Sequence, residues 1–138
     1  MRRSRGRVVV LSNNSGSLFG YADTLNKLGY YTLSLCSHVN DVVELLETGR
    51  RFEFMVYDAL NPDTDAHSLQ MIASYRAITS IISISDVNSR QRQDLIMWAR
   101  THQVPLQGVL QAPLRSPELY QLLACFRAMA MNDGVAGV

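Results

Sequence analysis

The chain is short of the residue combinations from which most metal sites and enzyme centres are built. It has two cysteines, Cys36 and Cys125, which alone make neither a disulfide framework nor a metal-ligand set. Its three histidines, His38, His67 and His102, fall in separate stretches with no Cys or acid at metal spacing. Asn14-Ser15-Gly16-Ser17 reads as a turn, without the spaced glycines and lysine of a phosphate loop. No glycine-flanked nucleophile elbow joins Ser12 or Ser85 to a histidine, so no hydrolase pattern forms. No apolar run approaches the roughly 20 residues that span a bilayer. The basic start, Met1-Arg2-Arg3-Ser4-Arg5-Gly6-Arg7, is followed by an apolar segment over 8–11 that is too short for a signal-peptide core. Charged residues make up 18% and the net charge is +1, which gives no electrostatic reason to expect nucleic acid. The arginines at the start read as a solvated tail. These absences predict a cytoplasmic protein with neither nucleic acid nor membrane as partner.

What is present is apolar and periodic. At 138 residues and 47% hydrophobic, the chain is one domain by length and can bury an ordinary core. Its organising stretch is Phe52-Glu53-Phe54-Met55-Val56-Tyr57-Asp58, where an apolar run ends in a single carboxylate before a Pro-containing loop with two more acids, Asp63 and Asp65. Such a run suits a strand buried on both faces of a parallel sheet, and it places Asp58 at the carboxyl end, where open α/β sheets bind ligands.

Around it the pattern alternates. Strands are predicted over 7–11, 31–35, 52–58, 80–85 and 106–110. Helices are predicted over 17–28, 39–48, 66–77 and 88–102. A further helix opens at Ser116-Pro117-Glu118, with a capping Ser and Pro at the first helical position, and runs to about 131. In the first helix Leu18, Tyr21, Ala22, Leu25 and Leu28 share a face, and Gly29 ends it. Five strands alternating with five helices imply an α/β fold, a parallel sheet covered by helices on both faces.

The order of motifs resembles the receiver domain of two-component response regulators. The match covers residues 7–131, leaving a basic tail over 1–6 and a small-residue tail over 132–138. Asp58 falls where receivers carry the phospho-accepting aspartate, with Asn61-Pro62 and Asp65 on the loop that follows. Gly29-Tyr30 falls on the usual end of the first helix, and Ser85 on the Ser/Thr that closes the fourth strand and contacts the phosphoryl group. Gly108-Val109-Leu110-Gln111-Ala112-Pro113-Leu114 falls on the fifth-strand pattern that ends in lysine-proline-phenylalanine. The resemblance implies a flavodoxin-like (βα)5 three-layer sandwich with sheet order 2-1-3-4-5.

The departures matter more. Receivers hold Mg²⁺ with two acids after the first strand plus the aspartate; here those two are Ser12 and Asn13. Mg²⁺ is a hard cation that needs oxygen ligands and gives up its waters reluctantly, so the set Ser12, Asn13, Asp58 is a degenerate magnesium site. The lysine that clamps the phosphoryl oxygens is Ala112, and the aromatic switch residue is Val109. Phosphoryl transfer is catalysed almost wholly by positioning and charge, and both are depleted. Arg115 is a conceivable substitute cation and Asp63 or Asp65 a conceivable second carboxylate. Surface exposure and helix capping are the simpler roles for them.

The last helix carries a second signal. Leu119, Leu122, Leu123, Phe126 and Ala130 form the inward stripe, yet Tyr120, Ala124, Ala128, Met129 and Met131 leave the remaining circumference apolar. An exposed patch of this kind suits a partner surface, and in receivers the face of the fourth helix, fifth strand and fifth helix serves dimerisation and output. Trp98 and Met97 on the fourth helix are candidate additions. The run from Ala99 to Leu110 further resembles receivers that precede EAL-type cyclic-di-GMP phosphodiesterase domains.

Two expectations follow. One is a phosphorylation-independent interaction module with no cofactor, acting as a homodimer or on a partner signalling protein or output domain through Tyr120, Ala124, Ala128, Met131 and Trp98. The other is a working phospho-acceptor modified on Asp58 with Mg²⁺, regulating an output domain or cyclic-di-GMP turnover.

Overall fold

The computed structural model describes residues 6–111 and 117–124. In chain order the elements are β1 (Arg7–Leu11), α1 (Ser15–Lys27), β2 (Thr32–Cys36), α2 (Val39–Glu47), β3 (Phe52–Asp58), α3 (Pro62–Ser74), β4 (Ile78–Ile84), α4 (Ser89–Thr101) and β5 (Leu106–Leu110). Residues 117–124 are helical and are called α5. The strands form one sheet in the order β2-β1-β3-β4-β5, and every neighbouring pair is parallel. This is the predicted flavodoxin-like winding.

Strand alternation divides the core into two layers. Val9, Leu11, Met55, Tyr57 and Ile81 point to the side covered by α2, α3 and α4, where Val42, Leu69, Ile72, Leu95 and Ala99 meet them. Val8, Val10, Phe54, Val56 and Ile82 point to the side of α1 and α5, against Leu18, Leu25, Leu119 and Leu123. The central strands are therefore apolar on both faces, and their unbroken runs are a consequence of double coverage.

Local chemistry fixes the ends. Gly29 and Gly49 take φ of 93° and 85° where α1 and α2 stop, a conformation that costs a side-chain-bearing residue but not glycine. Tyr30 then turns inward and meets Phe54 edge-on at 5.2 Å. Gly108 makes room for α5: a Cβ there would stand 2.7 Å from a Leu122 methyl.

Three predicted elements need correction. The first helix begins at Ser15, not 17, so the Asn14-Ser15-Gly16-Ser17 stretch is the start of α1 rather than a turn: Asn14 is the N-cap, and its side chain accepts from the Ser17 N–H at 3.1 Å. The third helix begins at Pro62 and ends at Ser74, not over 66–77. Asn61, rather than Asp63 or Asp65, is its N-cap: its side chain accepts from the Asp63 N–H at 3.0 Å. Asp65 still helps, because its Oδ2 accepts from the Asn61 N–H at 2.9 Å. The fourth strand starts at Ile78, two residues early, because Ile78 pairs with Phe52 at the entry to β3.

Candidate functional site

The carboxyl ends of β1 and β3 place three side chains together. Asp58 is the last residue of β3 and lies half-buried in the crevice. Ser12 follows β1 directly and is 2% exposed, and its hydroxyl donates to Asp58 Oδ2 at 2.6 Å. That hydroxyl is oriented in turn by the Asn14 N–H, which donates to Ser12 Oγ at 3.2 Å. Tyr21, on the buried face of α1, donates its hydroxyl to Asp58 Oδ1 at 2.6 Å. Each carboxylate oxygen therefore has a short, charge-assisted bond from a neutral O–H group. Burial, and then the hydrogen bond and negative charge of Asp58, push the Tyr21 hydroxyl far above the ordinary tyrosine range. Tyr21 stays a neutral donor.

Sequence reasoning put Tyr21 on the inward face but not at this site. The available signal was its spacing: a long polar-tipped side chain two turns into α1 on the core face reaches the strand ends, where a carboxylate accepts.

The other predicted residues are placed differently. Asn13 is exposed beside the crevice. Ser85 is buried, but its hydroxyl shares a 2.7 Å hydrogen bond with Ser83 and approaches the Leu60 carbonyl at 3.4 Å, so it is turned to the α3–α4 side and makes no hydrogen bond to Asp58. Val109 is buried in the layer under α4. Asp65 faces Tyr57, whose hydroxyl is pushed up by burial, the Asp65 charge and the hydrogen bond between them. Asp63 is exposed. Ala112 and Arg115 lie outside the described residues.

A magnesium ion does not fit this donor set. Beside the Asp58 carboxylate, Ser12 and Asn13 offer only neutral oxygens, a poor set for a hard cation that gives up its waters reluctantly. Among the described residues, no three His, Cys, Asp or Glu side chains converge as a metal site would require, and the ion pair present there, Lys27 with Asp23 at 3.0 Å, lies elsewhere on α1.

On the interface side, Tyr120 is 59% exposed and Met97 65% exposed, and Ala124 is exposed too. Trp98 is half-buried against the core and stacks on His102 at 4.8 Å, so Met97 rather than Trp98 offers apolar surface on α4. Ala128 and Met131 lie outside the described residues.

The winding and the carboxylate at a central strand end define a flavodoxin-like α/β domain with its candidate site at the usual crevice. No family model and no curated protein matches the sequence. Solved structures are similar in fold. The signal receiver domain assigned to a Luxo repressor protein of Vibrio parahaemolyticus is 17% identical with a TM-score of 0.70, over 96% of this chain and 97% of that one. The receiver domain of the histidine kinase CKI1 from Arabidopsis thaliana is 21% identical with a TM-score of 0.66, over 91% of each chain. The chemotaxis response regulator CheY4 of Vibrio cholerae is 16% identical with a TM-score of 0.64, over 86% of this chain and 95% of that one. The fold is the receiver, or CheY-like, fold.

Proposed function

We propose that this chain is a receiver-fold signalling module that works by association rather than by phosphoryl transfer. One observation carries the reading. The carboxylate in the phospho-acceptor position has both oxygens held by neutral hydroxyls, from Ser12 and Tyr21, where phosphoryl chemistry needs a metal and a cation. An aspartate so held serves as a structural acceptor that ties α1 and the β1 end to β3. The sequence around it agrees, since Asn13 and Ala112 supply neither an acid nor a lysine. Output would pass through the surface of α4, β5 and α5, where Tyr120 and Met97 are the large exposed apolar side chains. The partner there is a second copy or another signalling protein. A link to cyclic-di-GMP turnover rests on the run over 99–110 alone.

The test is direct. The protein is incubated with Mg²⁺ and acetyl phosphate, then with beryllofluoride, while intact mass and amide NMR shifts around Asp58 are recorded against Asp58→Asn. The expected result is an unmodified mass and no saturable shift at millimolar Mg²⁺. A phosphoryl adduct present in the wild type and missing from the variant would establish the phospho-acceptor reading instead.

A further inference from the structure

A concave cavity of about 560 Å³ opens between the β3–α3 connection, the β4–α4 connection and α4. Asp58 does not line it. The volume is that of a small-molecule site, and sites of this size are mostly apolar with a few polar groups that fix orientation. The apolar wall is Leu60, Val87, Leu95 and Trp98, of which Leu60 and Leu95 are buried. Trp98 is held by its stack on His102, whose Nδ1 lies 2.8 Å from the Trp98 carbonyl oxygen, so the indole forms a supported surface.

The charge on the rim has one sign. Asp63 from α3, Asp86 from the loop after β4 and Asp94 from α4 all line the cavity, and no Lys, Arg or His does. None of the three carboxylates has an ion pair among the described residues. They also do not converge on one point, since no three acids there could share a metal ion. A single divalent cation therefore cannot satisfy them together, whereas an elongated molecule carrying several separated positive charges can. Its methylene segments would lie against the Leu95 and Trp98 wall, as long cationic side chains lie on apolar surface.

We propose that this cavity binds an aliphatic polyamine. The site goes beyond the association reading and stands whether or not Asp58 is ever modified. It also offers that reading an effector: the cavity wall includes Ala59, Leu60 and Asn61, the three residues after Asp58, and Ser85. A ligand that touches this wall in one arrangement and not another shifts the equilibrium between them.

Trp98 is the one tryptophan of the chain, so its fluorescence reports the site without a label. The experiment titrates the full chain with spermidine, with 1,8-octanediol as the uncharged match, with Mg²⁺, and with a trilysine peptide, at fixed ionic strength. Isothermal titration of Asp86→Asn/Asp94→Asn is run alongside, with a circular-dichroism melt to verify folding. Both substituted positions are exposed, and removing two rim charges should weaken spermidine about tenfold. The expected result is a saturable fluorescence change with spermidine, weakened by that factor in the double variant and absent with the diol. Three results would each overturn the proposal. These are no saturation with spermidine, equal affinity in the folded double variant, and tighter binding of Mg²⁺ or of trilysine, the last of which would assign the cavity to a basic protein segment.

Discussion

At the scale of single residues, the chemistry of the crevice is decided by what Asp58 is bonded to. Replacing Tyr21 with Phe deletes one charge-assisted hydrogen bond and leaves Asp58 Oδ1 short of a donor, at a cost of about 2 kcal/mol. Urea unfolding of Tyr21→Phe, Ser12→Ala and the double variant should give losses that do not add, because both hydroxyls serve one carboxylate. Full additivity would mean that the two bonds are independent. Cys36 offers a second check. Burial, and then the nearby charge of Asp41, push its thiol up to about 11 from an ordinary value of 9.0. The folded state therefore holds its proton to higher pH than the unfolded chain does. Its contribution to stability is complete below about pH 9 and is lost as pH rises towards about 11. Denaturation midpoints of the wild type and Cys36→Ala across that window should converge as pH rises, and a constant gap between them would count against the assignment.

At the scale of elements, α3 depends on its first turn. Asn61 caps it by side chain while Asp65 reaches back to the Asn61 N–H, so backbone donors that the helix cannot pair internally are satisfied from both sides. Asn61→Ala should cost about 1 kcal/mol, seen as a lower thermal midpoint with unchanged far-ultraviolet ellipticity at 20 °C. An unchanged midpoint would place the stabilisation in Asp65 instead. The same turn forms one wall of the acid-rimmed cavity through Asn61 and Asp63. Capping and the proposed ligand site thus share a segment.

At the scale of the whole molecule, the sheet ends on β5 at one edge, flanked by α4 and α5. The side chains Met97 and Tyr120 on those helices are large, apolar and exposed, and the association proposal rests on their burial against a second copy or a partner. If the module self-associates there, Tyr120→Glu should convert a dimer to a folded monomer in sedimentation velocity. An unchanged sedimentation coefficient would move the contact elsewhere.

The winding of this chain was legible in its sequence because double-sided burial writes itself into strands as unbroken apolar runs. The 52–58 segment could be little else, and Gly29 marked a helix end because glycine takes its backbone angle, φ 93°, cheaply. That Ser12, Asn13 and Ala112 carry no charge was also legible, since no folding turns them into one. The resemblance set Ser12 beside Asp58, where its hydroxyl is found, but the second partner was not legible. Tyr21 lies 37 positions away, and nothing in helical spacing says which polar tip meets which strand end. The turning of Ser85 towards Ser83 and Leu60 was equally hidden, because side-chain direction at a strand terminus depends on the loop packed beside it. Nor could a linear reading bring Asp63, Asp86, Asp94 and Trp98 to one cavity. Their proximity comes from parallel strands that deliver all of their outgoing loops to the same end of the sheet, and only the folded chain makes that juxtaposition.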